Sequence, residues 1–545
     1  MFQISAGGFN LKSSLGIYSV KQYGAHSTTE PGYAAFDSTA AIALALAAVP
    51  SYGTLYFPPG IWRGSLSIRR NDITIAGAGM GKTTIKLNNG AIAATNVLEL
   101  GFTAWTVWPP PTYDNITVRD ITLDGNRANT NDPFLTHIAD GFAEDVRGWG
   151  LPITYCTNCN ISNVRAINCW FGGIGQFINS DGCHFTDITA YNCGYTAYGG
   201  GANGFDINSS KYSTYDGIII DTCKYGLRIL DNCVGLNYST GLNLSAVIKD
   251  AVQSGFNYSA HSGNLARSNN IVLNIVGGCG DYGIGIGGDV RSSHIKANIY
   301  NITGIGLYVT DVTTPGEKVV NNVFDIITDN CGLSGAQIYQ DHNIYRIHSY
   351  MDGRLGPPGA VHAVYLYGNY NQLEMTVIDT GTPQVRGLYL GGIGNDVISY
   401  KESGTVQYLN DAGIDNTLHP RTLISESAAP IAGTAKIGDI IWNSIPISGQ
   451  PAGWMCTHSG TFSAATDNTG DTDGVTGVIT GMTDTSDFTI GDYVDVSAGF
   501  PTTGPYGILS KTTTTITIDT PSNAIANNIT VDTSDPIWTA MANLA

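Results

Sequence analysis

The chain is 545 residues long with only 13% charged residues and 68 Gly, which excludes charge-driven disorder and describes a folded, polar-uncharged protein of two to four structural units. Its 44 Asp and Glu against 26 Lys and Arg leave a formal charge of −18 with no basic run, so a nucleic-acid partner is not expected. No stretch approaches the roughly 20 apolar residues of a spanning helix, so membrane insertion is not expected, and Met1–Asn10 lacks the order of a secretory signal.

Beyond a short leader, residues 1–19, the first element is helical. Asp37–Ala48 is rich in Ala and Leu, with Asp37 or Ser38 placed to cap its N-terminus, and it ends before Pro50. Next, Gly77-Ala-Gly-Met-Gly-Lys-Thr83 resembles a phosphate loop in composition. It has three residues between its first Gly and the Gly-Lys where a P-loop needs four, and Thr84–Leu87 continues as strand rather than helix. No nucleotide or other cofactor is expected. The segment from Asn126 to Leu151 is long for one coil and carries Asp140, Glu144, Asp145, Arg147 and Trp149, so it reads as an insertion able to overhang a groove.

From about Asp114 to Gly413 short β-branched or aromatic runs alternate with Asn, Asp and Gly, the pattern of short strands joined by tight turns. A Gly-led strand recurs at Gly175, Gly204, Gly226, Gly255, Gly283, Gly306, Gly335 (read with one extra residue), Ala363 and Gly387. The intervals of 29, 22, 29, 28, 23, 29, 28 and 24 residues are the coil length of a solenoid whose turns stack at about 4.8 Å. The repeat predicts an all-β parallel β-helix. Cys169, Cys193, Cys223, Cys279 and Cys331 recur upstream of these strands, with Cys159, Cys183 and Cys233 at another corner. Side chains stacked into a narrow core at such positions are expected to be free buried thiols rather than disulfides. The lone Cys156-Thr-Asn-Cys159 has no partner pair at zinc-site spacing, so no metal is expected.

Within each Gly-led strand the residues one and three after the Gly are mostly apolar, as in Phe205 and Ile207, and are expected to face the core. The residues between them then face outward: Phe177, Asp206, Arg228, Asn257, Gly285, Tyr308, Tyr365 and Tyr389, flanked by Asn208 and its equivalents. Aromatics, amides and a few charges on one face suit sugar rings, which stack on aromatic surfaces and need many hydroxyl partners. The same ladder also suits packing against another subunit.

Val20-Lys-Gln-Tyr-Gly-Ala25, the helix from Asp37, and Gly53-Thr-Leu-Tyr-Phe-Pro-Pro-Gly-Ile-Trp62 together resemble the opening of the pectate-lyase-like β-helix superfamily. Ile73–Gly79 and Ile116–Gly125 look like its first rungs, whereas His26-Ser27 departs from the acidic loop common after the Tyr-Gly-Ala motif. After about Ser425, Gly438–Asn443, Gly453–Thr457 and the Thr/Asp/Gly-rich Thr461–Thr533 resemble the C-terminal modules of bacteriophage tailspikes, with short antiparallel strands at Tyr493–Val496, Gly507–Ser510 and Thr515–Ile518. The resemblance implies a right-handed β-helix whose helix caps the open end and whose chains form a homotrimer. It implies residues 20–110 as cap and first coils, 111–424 as the catalytic and receptor-binding helix, and 425–545 as a trimerisation or carbohydrate-binding module. It implies, further, a virion tailspike acting at the host surface on a bacterial capsule, exopolysaccharide or O-antigen. The leader leaves no room for a large virion-anchoring domain, so either the chain is trimmed or it joins the phage tail or baseplate through a short peptide.

Hydrolysis of a glycosidic bond needs two carboxyl groups, about 5–5.5 Å apart for retention and about 6.5–9.5 Å for inversion, spacings that neighbouring coils supply. Asp206 and Asp231 are the expected pair, with Asp289 continuing an acidic file through Asp311 and Asp341, and Glu144 and Asp145 as alternatives from the long coil. Arg228, Asn208, Asn257, Tyr258, His261, Tyr308, Trp149 and Trp170 are the expected substrate contacts. A lyase would instead use Tyr258 and His261 with Arg228, or His342 and His348 with Arg346. A non-catalytic adhesin would need only the tyrosines.

Overall fold

A computed structural model describes residues 16–92, 95–101, 111–130, 148–194, 203–231, 239–260, 265–310, 318–350, 362–379 and 386–404, and beyond these chiefly short strands. The chain divides into two compact units. The first is residues 1–346 with 352–355 and 367–371, and the second is the remainder up to 545.

The first unit is a parallel β-helix. Each coil gives one strand to a glycine-led sheet, which includes Trp149–Thr154, Gly172–Phe177, Asn203–Asn208, Tyr225–Asp231, Ser254–Ala260, Tyr282–Gly288, Ile305–Val309 and Ser334–Ile338. The other strand of each coil joins a second, broad sheet running through Ile116–Asp124, Asn160–Ile167, His184–Tyr191, Thr214–Asp221, Asn243–Ala251, Asn270–Gly278, His294–Tyr300 and Val323–Asp329. Inward residues of both sheets, such as Phe205, Ile207, Ile220 and Ile248, are 0% exposed. The opening helix spans Thr39–Ala48, with Ser38 at its N-cap and the Asp37 carboxylate accepting the Thr39 N–H at 2.9 Å. At its other end Arg70 donates to the carbonyl of Val49 at 2.6 Å, a cation against the negative end of the helix.

The glycines that announce the repeat are required by close approach. A Cβ on Gly173 would stand 2.5 Å from the carbonyl oxygen of Gly204, and one on Gly255 would stand 2.7 Å from that of Gly283. The pairing Ile174 with Phe205 corrects the expected register: Gly173, not Gly175, shares a rung with Gly204, and Gly175 pairs with Asp206. Phe177 therefore falls on the rung of Asn208. Gly335 carries no extra residue, because Leu307 pairs with Ala336 and Tyr308 with Gln337.

Corners are held by polar ladders. Ser293 N–H donates to the side-chain oxygen of Asn322 at 2.9 Å, Asn322 N–H to Asn343 at 3.0 Å, and Asn343 N–H to Asn371 at 2.9 Å, all four residues being buried. Each buried backbone donor thus finds an acceptor one coil away. Cys156, Cys159, Cys169, Cys183, Cys193, Cys223, Cys279 and Cys331 are free and buried, as the stacking pattern predicts. Cys169, Cys193 and Cys223 donate to the carbonyls two residues back, at 3.3, 3.4 and 3.5 Å. Burial pushes the Cys279 thiol up to about 12. Cys233 lies outside the described residues. The glycine-rich segment at 77–83 is a turn into the strand Thr83–Lys86, and the buried Thr83 hydroxyl donates to the carbonyls of Phe57 and Pro58 at 3.1 Å.

The second unit contains its own parallel strands, His362–Leu366, Gln372–Asp379, Arg386–Leu390 and Asp396–Gly404. It also contains a closed antiparallel barrel built from Thr466–Asp473, Val478–Thr480, Tyr493–Val496, Tyr506–Lys511, Ile516–Ile518 and Ile525–Thr533. The antiparallel strands expected near 493, 507 and 515 are present with pairings Tyr493 to Gly507 and Ile508 to Ile518.

Candidate functional site

The glycine-led sheet departs from simple alternation at each glycine. Asn203 pairs with Tyr225 and Phe205 with Leu227, while Gly204 between them points its missing side chain at Ile220 and Cys223 of the core. Gly204 and Phe205 therefore both face inward, and Asn203 returns to the same side as Asp206. That extra outward column, Asn203, Tyr225, Ser254 and Tyr282 on successive rungs, is invisible to a strict two-residue period.

Asp206 sits at the centre of this face and is 0% exposed. Arg228, its rung partner, donates from Nη2 to Oδ2 at 2.5 Å and from Nε to Oδ2 at 3.1 Å, and Asn203 adds its amide to Oδ2 at 3.0 Å. A charge-assisted, multiply held carboxylate of this kind is fixed in orientation. Asn257 follows Arg228 on the rung, then Gly285 and Tyr308. Tyr225 stands beside them, its phenol pushed up by burial, with the Lys224 ammonium 5.2 Å from its ring and itself lowered by burial.

Further along, the sheet becomes aromatic. Tyr282 lies across Gly285, where any Cβ would strike its ring. From there rings pass in sequence from coil to coil: Tyr282 to Tyr308 at 5.8 Å, Tyr308 to Tyr339 at 6.0 Å, and Tyr339 to Tyr367 at 4.6 Å with planes 12° apart. This slanting stripe is a half-buried aromatic surface that continues over several coils and ends on the exposed Tyr367.

Several expected contacts are placed elsewhere. Tyr258 is a core residue, fully buried and hydrogen-bonded through its hydroxyl to Asn269 at 2.5 Å and Ser293 at 3.2 Å, so its phenol is unavailable to substrate. Trp149 is not on a loop: it opens a strand, is 2% exposed and packs edge-on against Phe177 at 5.1 Å, which removes it as an open stacking platform. Asp289 is held bidentately by Arg291 at 2.5 and 2.8 Å, and Asp341 accepts the Asn369 N–H at 2.6 Å as a turn cap. Asn208 is buried and accepts from Ser209 at 3.0 Å. Arg346 belongs to the broad sheet and pairs with Asp325 at 3.0 Å. Asp231 ends its strand on the rung of Ala260, three positions past Arg228. Its side chain, with His261, Glu144, Asp145 and Asp311, lies outside the described residues. Trp170 stands apart, on the wall of a cavity of about 440 Å³. No group of three or more metal-ligating side chains occurs among the described residues.

The fold of the first unit is a parallel β-helix, and its opening portion is similar to the pectate-lyase-like proteins. Residues 17–246 match the family model described as rhamnogalacturonase A/epimerase, pectate lyase-like. The chain is 39% identical over 127 residues to mannuronan C5-epimerase AlgE6 of Azotobacter vinelandii, a match over 21% of this chain and 13% of the relative. It is 34% identical over 125 residues to AlgE4 of the same organism, over 21% and 20%. The matched part thus spans a fifth or less of those relatives. Among solved structures, a tailspike of Escherichia coli bacteriophage HK620, crystallised with a hexasaccharide, aligns over 96% of this chain and 94% of its own with TM-score 0.50 and 10% identity, a likeness of fold.

Proposed function

We propose that this chain binds and hydrolyses a bacterial surface polysaccharide, as a homotrimeric phage tailspike attached to the tail or baseplate. The observation that carries the reading is the outward face of the glycine-led sheet. There a buried, oriented Asp206–Arg228–Asn203 cluster is followed along the coils by the stripe Tyr282–Tyr308–Tyr339–Tyr367. A glycan laid along the stripe stacks its rings on the tyrosines while its hydroxyls meet the amides and hydroxyls between them. Asp206 is proposed as one catalytic carboxyl and Asp231 as the other, with Arg228 holding the Asp206 carboxylate in one orientation.

A second reading is favoured by the 39% match to a mannuronan C5-epimerase: proton abstraction at C5 of a uronate, ending in elimination or epimerisation. Arg228 would then face the uronate carboxylate, His261 would take the C5 proton as the base, and the burial-raised phenol of Tyr225 would give a proton to the leaving oxygen in elimination or to the opposite face of C5 in epimerisation. Incubation with capsular polysaccharides from a host panel separates these readings. Products heavier by one water establish hydrolysis, ultraviolet-absorbing unsaturated ends establish elimination, and solvent deuterium at C5 without chain cleavage establishes epimerisation. Binding without any of the three leaves an adhesin.

A further inference from the structure

Away from the glycine-led face, the corner after Ile116–Asp124 and the corners of the next two coils enclose the cavity of about 440 Å³, within the usual range for small-ligand pockets. Its polar wall is assembled from four successive coils by a single hydrogen-bond chain. The Lys86 ammonium meets Asp124 Oδ2 at 3.0 Å, and Asp124 Oδ1 accepts the Asn126 N–H at 2.8 Å and the Asn168 amide at 3.3 Å. Asn168 in turn accepts from the Asn192 amide at 2.8 Å, and Asn192 accepts from Arg127 Nη2 at 2.7 Å. Charges at both ends therefore fix the donor and acceptor ends of each amide. Trp170 is fixed as well, its indole N–H donating to Thr130 Oγ1 at 2.7 Å.

We propose that this cavity is a second saccharide pocket, taking one pyranose ring from a branch or end of the chain. The ligand class rests on the polysaccharide reading, but none of the pocket's residues belongs to the Asp206 cluster or the tyrosine stripe. An oriented row of amides and charges beside a fixed indole offers paired donors and acceptors for ring hydroxyls and an apolar surface for ring C–H groups. The exposed Ala128 and Asn129 line the cavity and give access to it without disturbing the core.

Saturation-transfer NMR on the full chain, with the methyl glycosides of galactose, N-acetylglucosamine and glucuronic acid, tests this. At least one glycoside is expected to bind at millimolar concentration. Its affinity should fall tenfold or more in Ala128→Trp, which fills the pocket, and in Asn129→Leu should that variant be the one that folds. Binding should be unchanged in His294→Ala, on the broad sheet and outside both sites. No signal from any of the three glycosides, or equal signal in the pocket-filled chain, overturns the proposal. Capsule cleavage without glycoside binding would sink the pocket alone, whereas glycoside binding without capsule cleavage would sink the enzymatic reading and leave the pocket standing.

Discussion

The two sheets of the β-helix are made by the same coils yet treat their outward side chains differently. His184–Tyr191 of the broad sheet alternates buried and exposed positions, and its neighbours leave Ile219 40%, Val272 42% and the His294 side chain 49% exposed. Gly172–Phe177 and Asn203–Asn208 of the glycine-led sheet are buried at every position, although Asn203, Asp206 and Asn208 stand on the outward side. Burying polar groups costs free energy unless each is hydrogen-bonded, so a sheet that does this repeatedly on its outward side is organised for more than stability. The broad sheet is a solvated wall, and the glycine-led sheet is the face where orientation of polar groups is under tight control.

Substitutions should separate the two faces in graded steps. Arg228→Ala strands the wholly buried Asp206 carboxylate and is expected to cost about 3 kcal/mol in denaturant unfolding. Arg346→Ala, whose partner Asp325 retains 29% exposure, should cost less than about 1 kcal/mol. The double change Asp206→Leu with Arg228→Met should recover most of the lost stability but no depolymerase activity, which distinguishes a structural pair from a working one. Gly255→Ala, pressed against the carbonyl of Gly283, should cost about 1–3 kcal/mol, against a few tenths for Thr189→Ala on the broad sheet.

Smaller effects follow on the surface. Tyr339→Ala should weaken polysaccharide binding about 2- to 12-fold, measured by affinity electrophoresis, with the melting temperature unmoved, because each stacked ring contributes about 0.5–1.5 kcal/mol. His294→Ala should leave that affinity unchanged. At Asp325 burial pushes the carboxyl up, but hydrogen bonds from His294 and Arg346 outweigh it and lower the pKa. Its contribution is therefore present above the ordinary carboxylate value and lost as pH falls through the lowered one. Asp325→Asn should flatten the stability profile only below about pH 4, by under about 1 kcal/mol.

The spacing of the glycines was enough to read the coils, because a backbone approach that forbids a Cβ can be met by only one residue type. The buried thiols were legible for a similar reason: identical side chains recur where coils stack. What failed was the finer geometry at the glycines themselves. Two-residue alternation put Tyr258 in both the core and the site, whereas the bend at Gly204 places Asn203, Tyr225 and Tyr282 on the outward side and leaves Tyr258 inside. Asp289 looked like a free carboxylate because its partner Arg291 lies two residues away in the same turn, a pairing that depends on turn conformation. The corner ladder of Asn322, Asn343 and Asn371 was also missed, since Asn is common throughout the chain and only position reveals which amides are buried.

The most direct test of the glycine-led sheet as the working face compares initial depolymerisation rates of the wild-type chain and Asp206→Asn on a capsule that the wild type degrades, with circular dichroism confirming that both are folded. The account predicts a rate at least 100-fold lower for Asp206→Asn, about 2.7 kcal/mol or more of lost transition-state stabilisation. A folded Asp206→Asn chain that cleaves at the wild-type rate would contradict it.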